Sequence, residues 1–179
     1  MVNQYNKDGK KEGLWVKKYD NGNIKEEKRY VDGVREGEYK SYYENGQVES
    51  VKYYKNGSVD GEYKTYYIDG QLNSIRHYVA GQNIGLAEEY YPNGNIKKRT
   101  VYTSMSTTSE NKKFYSNGKV KLDVNLKDGL MSGPSKEYYS DGSLYIECNY
   151  KEGKLDGVYK EYNNMGVVVK EYIYKDGKF

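Results

Sequence analysis

Apolar and polar positions alternate along short stretches of the chain, and the alternation is broken at regular intervals by glycine. EYKSYY (38–43) and QVESVKYY (47–54) are both rich in aromatic and β-branched residues, and Asn45-Gly46 lies between them. Alternation with period two predicts half-buried β-strands, and an Asn-Gly between two such runs predicts a tight hairpin of type I′. The pattern then repeats. One glycine series runs Gly13, Gly37, Gly61, Gly85, Gly133 and Gly157, with Ser109 in the remaining place. A second runs Gly22, Gly46, Gly70, Gly94, Gly118, Gly142 and Gly166 without a gap, and a third, which includes Gly33 and Gly57, misses only at Met105. A 24-residue period of strand, turn, strand and short turn predicts an all-β repeat array, a β-meander with no helix.

The period divides the chain into a half repeat, 1–12, and seven repeats: 13–36, 37–60, 61–84, 85–108, 109–132, 133–156 and 157–179, expected to form a single domain. With Asn45 and Gly46 as the two loop residues, Tyr43 would oppose Val48, Ser41 would oppose Ser50 and Tyr39 would oppose Lys52. Tyr39, Tyr43, Val48 and Tyr54 would then share one face, continued by Trp15, Tyr63 and Tyr159 and by Ile24, Leu72, Ile96, Val120, Leu144 and Val168. The opposite face carries its own aromatic row, Tyr42, Tyr66, Tyr90, Phe114, Tyr138 and Tyr162, flanked by Lys40, Lys64, Lys112, Lys136 and Lys160. Lysine stems packing over rings would stiffen a thin sheet. Tyrosine flanked by charge also suits a protein-binding surface.

Composition changes this picture in one respect. The hydrophobic fraction is 36% and the mean hydropathy is −1.07, values that suit a disordered chain. The 24 tyrosines oppose that reading, because disordered segments are poor in aromatics. The expected fold therefore has no thick aliphatic core and buries tyrosine rings instead. Net charge is +3, from 29 basic and 26 acidic residues that are interspersed. This is not the clustered basic footprint of a nucleic-acid binder.

With these residues in place, G-x-Y-x-x-Y-Y-x-N-G-x-φ followed by Y-x-x-G-x-x-x-G resembles the bacterial variant of the MORN repeat, where φ is an apolar residue. GEYKTYYIDGQL (61–72) and GPSKEYYSDGSL (133–144) are good instances. The resemblance implies an elongated, twisted, single-layer antiparallel β-meander of seven hairpin repeats. It also implies a non-enzymatic binding protein, since many bacterial members are described as antitoxins or immunity proteins. Eukaryotic relatives serve as scaffolds, some with proposed phospholipid binding. This chain departs from the third-position Tyr at Ala87, Asn111 and Ser135 and throughout TSMSTTS (103–109).

Candidate chemistry is sparse. His77, the one histidine, falls where other repeats carry Arg29, Tyr53, Val101 or Ile173, a surface strand position. Cys148 rules out an internal disulfide and has no histidine near it in sequence. No catalytic, metal or cofactor site is expected. Two breaks in the repeat are the better candidates for partner contact. One is Met105, in the irregular segment. The other is the last hairpin, where Val167, Val169 and Ile173 leave a final edge with little charge to blunt it. The expected partner is another protein, such as a toxin encoded nearby, or a second copy docked through this hairpin. A cell-surface structural or adhesive protein and a phospholipid-surface scaffold are the alternatives, although no membrane binding is expected from so small a net charge. MVNQYNKDGKKEG has no apolar run, so the sequence as written is expected to be cytoplasmic; a leader removed upstream would place the protein at the surface or in the periplasm.

Overall fold

A computed structural model describes residues 2–103 and 108–179. Among them there are only antiparallel β-strands, in two compact units, Met1–Ile84 and Gly85–Phe179. The first unit holds β1 (Gln4–Tyr5), β2 (Lys11–Lys18), β3 (Ile24–Val31), β4 (Val34–Tyr42), β5 (Val48–Lys55), β6 (Ser58–Tyr66), β7 (Leu72–Val79) and β8 (Gln82–Asn83). Each is hydrogen-bonded to the next in chain order. The second unit follows the same plan with β9 (Gly85–Tyr90), β10 (Ile96–Tyr102), β11 (Thr108–Phe114), β12 (Val120–Lys127), β13 (Leu130–Tyr138), β14 (Leu144–Lys151), β15 (Lys154–Leu155), β16 (Gly157–Tyr162) and β17 (Val168–Tyr174). Here β14 takes both β15 and β16 along one edge. The all-β meander expected from the sequence is the fold observed.

The turn types differ from the expectation. Tyr43 N–H donates to the Gln47 carbonyl at 2.8 Å and Gly46 N–H donates to the Tyr43 carbonyl at 2.9 Å. Gly46 has φ +87°, whereas Asn45 stays out of the left-handed region. The loop is therefore Glu44-Asn45-Gly46, a three-residue turn ending in a glycine bulge rather than a two-residue type I′ turn. Asn45 acts through its side chain, its Oδ1 accepting from Gln47 N–H at 3.0 Å. The type I′ geometry occurs at the link between repeats: Asp32 and Gly33 have φ +48° and +83°, and Asn56 and Gly57 have +49° and +79°.

The extra loop residue shifts the register by one at the hairpin end. Ser41 opposes Ser50 and Tyr39 opposes Lys52 as expected, but Val48 is paired with Tyr42, not Tyr43. Directly opposed residues share a face, so the Val48 row belongs beside the Tyr42 row. Placing Val48 on the face of Tyr39 is corrected accordingly.

Burial is thin. No large side chain among the described residues is fully buried, and the most enclosed positions are mostly small: Ser41, Ser50 and Ser74 in the first unit, Ala87, Thr100, Val124, Ser135 and Cys148 in the second. The buried hydroxyls bond to one another, Ser41 Oγ to Ser50 Oγ at 2.7 Å and Thr65 Oγ1 to Ser74 Oγ at 2.7 Å. Thr100 Oγ1 donates to Asn111 Oδ1 at 2.8 Å, so these polar groups find partners inside the layer, whereas the buried Trp15 Nε1 and Asn83 Oδ1 do not. The departures at Ala87, Asn111 and Ser135 do not disturb the ladder. They oppose Thr100, Val124 and Cys148, where the first unit has Tyr39 opposite Lys52 and Tyr63 opposite Arg76. Both members of the cross-strand pair have changed size together.

Candidate interaction surfaces

The row through Tyr42 lies half-buried beside the Val48 row. Three of its hydroxyls are engaged within the sheet: Tyr42 donates to Glu27 Oε2 at 2.7 Å, Tyr90 to Glu88 Oε2 at 2.6 Å and Tyr162 to Glu147 Oε1 at 2.6 Å. Burial, then the bonded carboxylate, pushes the Tyr42 phenol well above its ordinary value and that of Tyr90 up to about 12. Four of the five flanking lysines form ion pairs as well: Lys40 with Glu38 at 2.8 Å, Lys64 with Glu62 at 2.6 Å, Lys112 with Asp123 at 2.8 Å and Lys160 with Glu171 at 3.6 Å. Tyr66, Phe114 and Tyr138 continue the half-buried row. The surface is aromatic and charged but internally compensated.

On the other face, cations sit among rings. Lys52 Nζ lies 4.7 Å from the centroid of Tyr39, 5.6 Å from Tyr54 and 5.0 Å from Tyr63. Lys11 Nζ lies 4.4 Å from Trp15, and Arg35 Nη1 donates to Tyr54 Oη at 3.2 Å. At partly desolvated sites each such contact stabilises by about 0.5–1 kcal/mol or more. Burial first, then the nearby Glu26 carboxylate, raises Tyr39 to about 12.

Two sets of residues that sequence reasoning did not assign hold successive repeats together. The hydroxyl of Tyr43 donates to the Tyr66 carbonyl at 2.7 Å, and Tyr19, Tyr91, Tyr115 and Tyr139 reach Tyr42, Phe114, Tyr138 and Tyr162 in the same way. On the opposite flank an acid closing one repeat caps the link turn of the next: Glu12 Oε2 accepts from Asp32 N–H at 2.9 Å, Glu36 Oε2 from Asn56 at 2.8 Å and Asp60 Oδ2 from Ala80 at 3.0 Å. The signal was present, since Glu12, Glu36, Asp60 and Asp156 recur in register with the repeat. The Asp176 amide, followed by Lys175, holds the Asp156 carboxyl below its ordinary range.

His77 lies on the surface with its Nε2 3.4 Å from Glu62 Oε1. Cys148 is buried, which pushes its thiol up toward the neutral form. Among the described residues no group of three or more His, Cys, Asp or Glu could hold a metal, and no helix is long and apolar enough to cross a membrane.

The last hairpin is different in kind. Ile173 is 75% exposed, and Val167, Val168, Val169 and Val158 are exposed with it. Pairing sets Ile173 against Val158, and Val168 against Tyr162. Behind them Tyr159, Tyr172, Tyr174 and Phe179 pack as an aromatic cluster, with centroids 5.1–6.2 Å apart in the contacting pairs. The structure thus brings Val167, Val169 and Ile173 onto one hairpin, while Met105 lies outside the described residues.

No curated protein is significantly similar to the chain. The model of the MORN repeat variant matches residues 11–32, 35–56, 59–80, 84–103 and 131–152, segments that begin and end near the link turns and together make up more than half of the chain. With its hairpins, glycine turns and inter-repeat clamps already in view, the chain belongs to the MORN repeat variant family.

Proposed function

We propose that this is a non-enzymatic protein-binding protein that acts by covering a partner's surface, as an antitoxin or immunity protein covers the active site of its toxin. The observation that carries this reading is the exposed apolar last hairpin, Val167–Val169 with Ile173 and Val158. These exposed apolar side chains stand at the two ends of the hairpin, with the Lys160–Glu171 and Glu161–Lys170 pairs between them, and exposed apolar surface of this kind marks interaction sites. A pre-ordered sheet loses little conformational freedom on docking, which favours tight occlusion.

The test is co-expression with the product of the adjacent gene, followed by co-purification and an activity assay of that product. A stable complex is expected, with the partner silenced and the complex lost in Ile173→Glu or Val169→Glu. Failure to bind any neighbouring gene product overturns the antitoxin reading. A complex that survives both substitutions removes the hairpin as its site.

A further inference from the structure

A carboxylate that serves two side chains in the first repeat has no counterpart in the second. Glu26 Oε1 lies 2.7 Å from Lys28 Nζ, and Glu26 Oε2 accepts from the Tyr39 hydroxyl at 3.3 Å. The register sets Lys28 opposite Tyr39 and Glu26 opposite Ser41. One repeat on, Lys52 is opposite Tyr63 and Ser50 is opposite Thr65. Lys52 and Tyr63 therefore stand where Lys28 and Tyr39 stand, with Ser50 in the place of Glu26. Among the described residues neither Lys52 Nζ nor the Tyr63 hydroxyl has an acidic partner. Lys52 is half-buried between rings, 4.7 Å from the centroid of Tyr39 and 5.0 Å from that of Tyr63. Rings attract a cation, but the three donors of the ammonium still call for an acceptor.

The smaller side chain also leaves room. A cavity of about 380 Å³, a volume in the range of small-ligand sites, is lined by Ser41, Ser50 and Thr65 together with Lys52, Tyr63 and Glu49. Ser41 and Ser50 are buried and bonded to each other at 2.7 Å; that bond uses one of their two hydroxyl protons and leaves the other to donate outward. Along β5, Lys52 and Glu49 lie to either side of Ser50, so the cavity is cationic toward one end and acidic toward the other. A neutral sugar would leave Lys52 unanswered. A bare carboxylate would fill little of the volume and give Glu49 no donor, and a phosphate would bring more negative charge toward Glu49 than a carboxylate does.

We infer that this cavity is a binding site for a hydroxylated carboxylic acid of sugar size, a uronic acid residue of a glycan. Its carboxylate takes the place of Glu26 between Lys52 and Tyr63, in charge-assisted hydrogen bonds. Its hydroxyls bond to the Ser41–Ser50 pair and donate to Glu49. The residues belong to the first unit and the last hairpin to the second, so failure of this site leaves the protein-binding reading untouched.

The probe is glucuronate, titrated into the full chain with labelled lysine and tyrosine side chains and followed by NMR. Saturable binding that shifts the Lys52 and Tyr63 signals is expected. Glucose, which lacks the carboxylate, should bind about tenfold more weakly or worse. Ser50→Glu rebuilds the arrangement of the first repeat, and should abolish binding without lowering the unfolding midpoint. Lys52→Met keeps the stem and should abolish binding too, which decides the matter if Ser50→Glu does not fold. No saturable binding in the parent chain, binding that survives either substitution, or equal binding of glucose or of inorganic phosphate overturns the inference. Equal binding of N-acetylglutamate amide makes the cavity a seat for an acidic protein side chain, and overturns its assignment to a glycan.

Discussion

Replacing Tyr43 by Phe removes one hydroxyl and leaves the ring in place. That hydroxyl donates to the Tyr66 carbonyl at 2.7 Å, across the junction between two repeats. The tyrosine is half-buried, so water re-forms part of what is lost, and the cost is expected to be about 1 kcal/mol. With a urea dependence of about 2 kcal/mol per molar, the midpoint should fall by about 0.5 M. Tyr19, Tyr91, Tyr115 and Tyr139 make the same bond in other repeats. Successive clamps lie about 10 Å apart, two strand spacings, and should add nearly independently. Changing all five to Phe is then expected to remove about 5 kcal/mol, a large part of what a domain of ordinary stability has. Urea unfolding followed by far-UV circular dichroism measures both. The control is Tyr53→Phe, whose hydroxyl reaches Glu38 Oε1 at 3.3 Å from an exposed position and which should move stability by less than about 0.5 kcal/mol. An unchanged midpoint for Tyr43→Phe, or an equal loss in the control, refutes the clamp.

Three further outcomes are expected. Ala80 holds φ +48° where most other link turns have Asp or Asn; Ala80→Asn should stabilise by about 0.5–1 kcal/mol, read as a thermal midpoint about 2–4 °C higher. Lys52→Met keeps the stem but removes the charge among Tyr39, Tyr54 and Tyr63, and should cost about 1 kcal/mol in the urea assay. Tyr39, Tyr90 and Tyr150 are raised to about 12, each chiefly by burial. Because the folded values exceed the unfolded value near 10, their contribution is fully present below about pH 10 and is lost as pH rises toward 12. Tyrosinate absorbance should therefore appear together with loss of the β-sheet signal, and complete ionisation without unfolding contradicts the burial.

The fold was legible because its period is written three times over in glycine and again in tyrosine. The turn types were not. Asn-Gly suits a two-residue or a three-residue loop, and only the backbone decides between them. The residues do carry a discriminator, though. The hairpin position is Asn or Asp in every repeat but the last, where it is Met165, because the side chain works: Asn21, Asn93 and Asn117 also donate to Glu44, Ser116 and Ser140 carbonyls in the following repeat, at 3.1, 3.0 and 2.8 Å. The link position tolerates Ala80 and Glu152, with positive φ at both. The aromatic row was legible as a row, but not the carboxylates that engage its hydroxyls, since Glu27 and Tyr42 meet only once the register is known. The apolar last hairpin was visible directly, because apolar residues at Val167, Val169 and Ile173 occupy positions filled elsewhere by Gln47, Glu49 and Tyr53.

The clamps between repeats all span a nearly constant stretch of chain, 23 residues for the tyrosine hydroxyls and 20 for the acids that cap the link turns. Excising or duplicating any 24 consecutive residues among the regular repeats therefore returns every donor to an acceptor of the same kind. Tyr19 would meet the carbonyl of Tyr66 in place of that of Tyr42, and Glu12 would cap Asn56 in place of Asp32. A crossover between two repeats of the gene is thus conformationally silent, whereas an insertion or deletion of any other size throws every later clamp out of phase. The molecule is modular in heredity as well as in space, and its number of repeats is free to drift while its cross-section stays fixed.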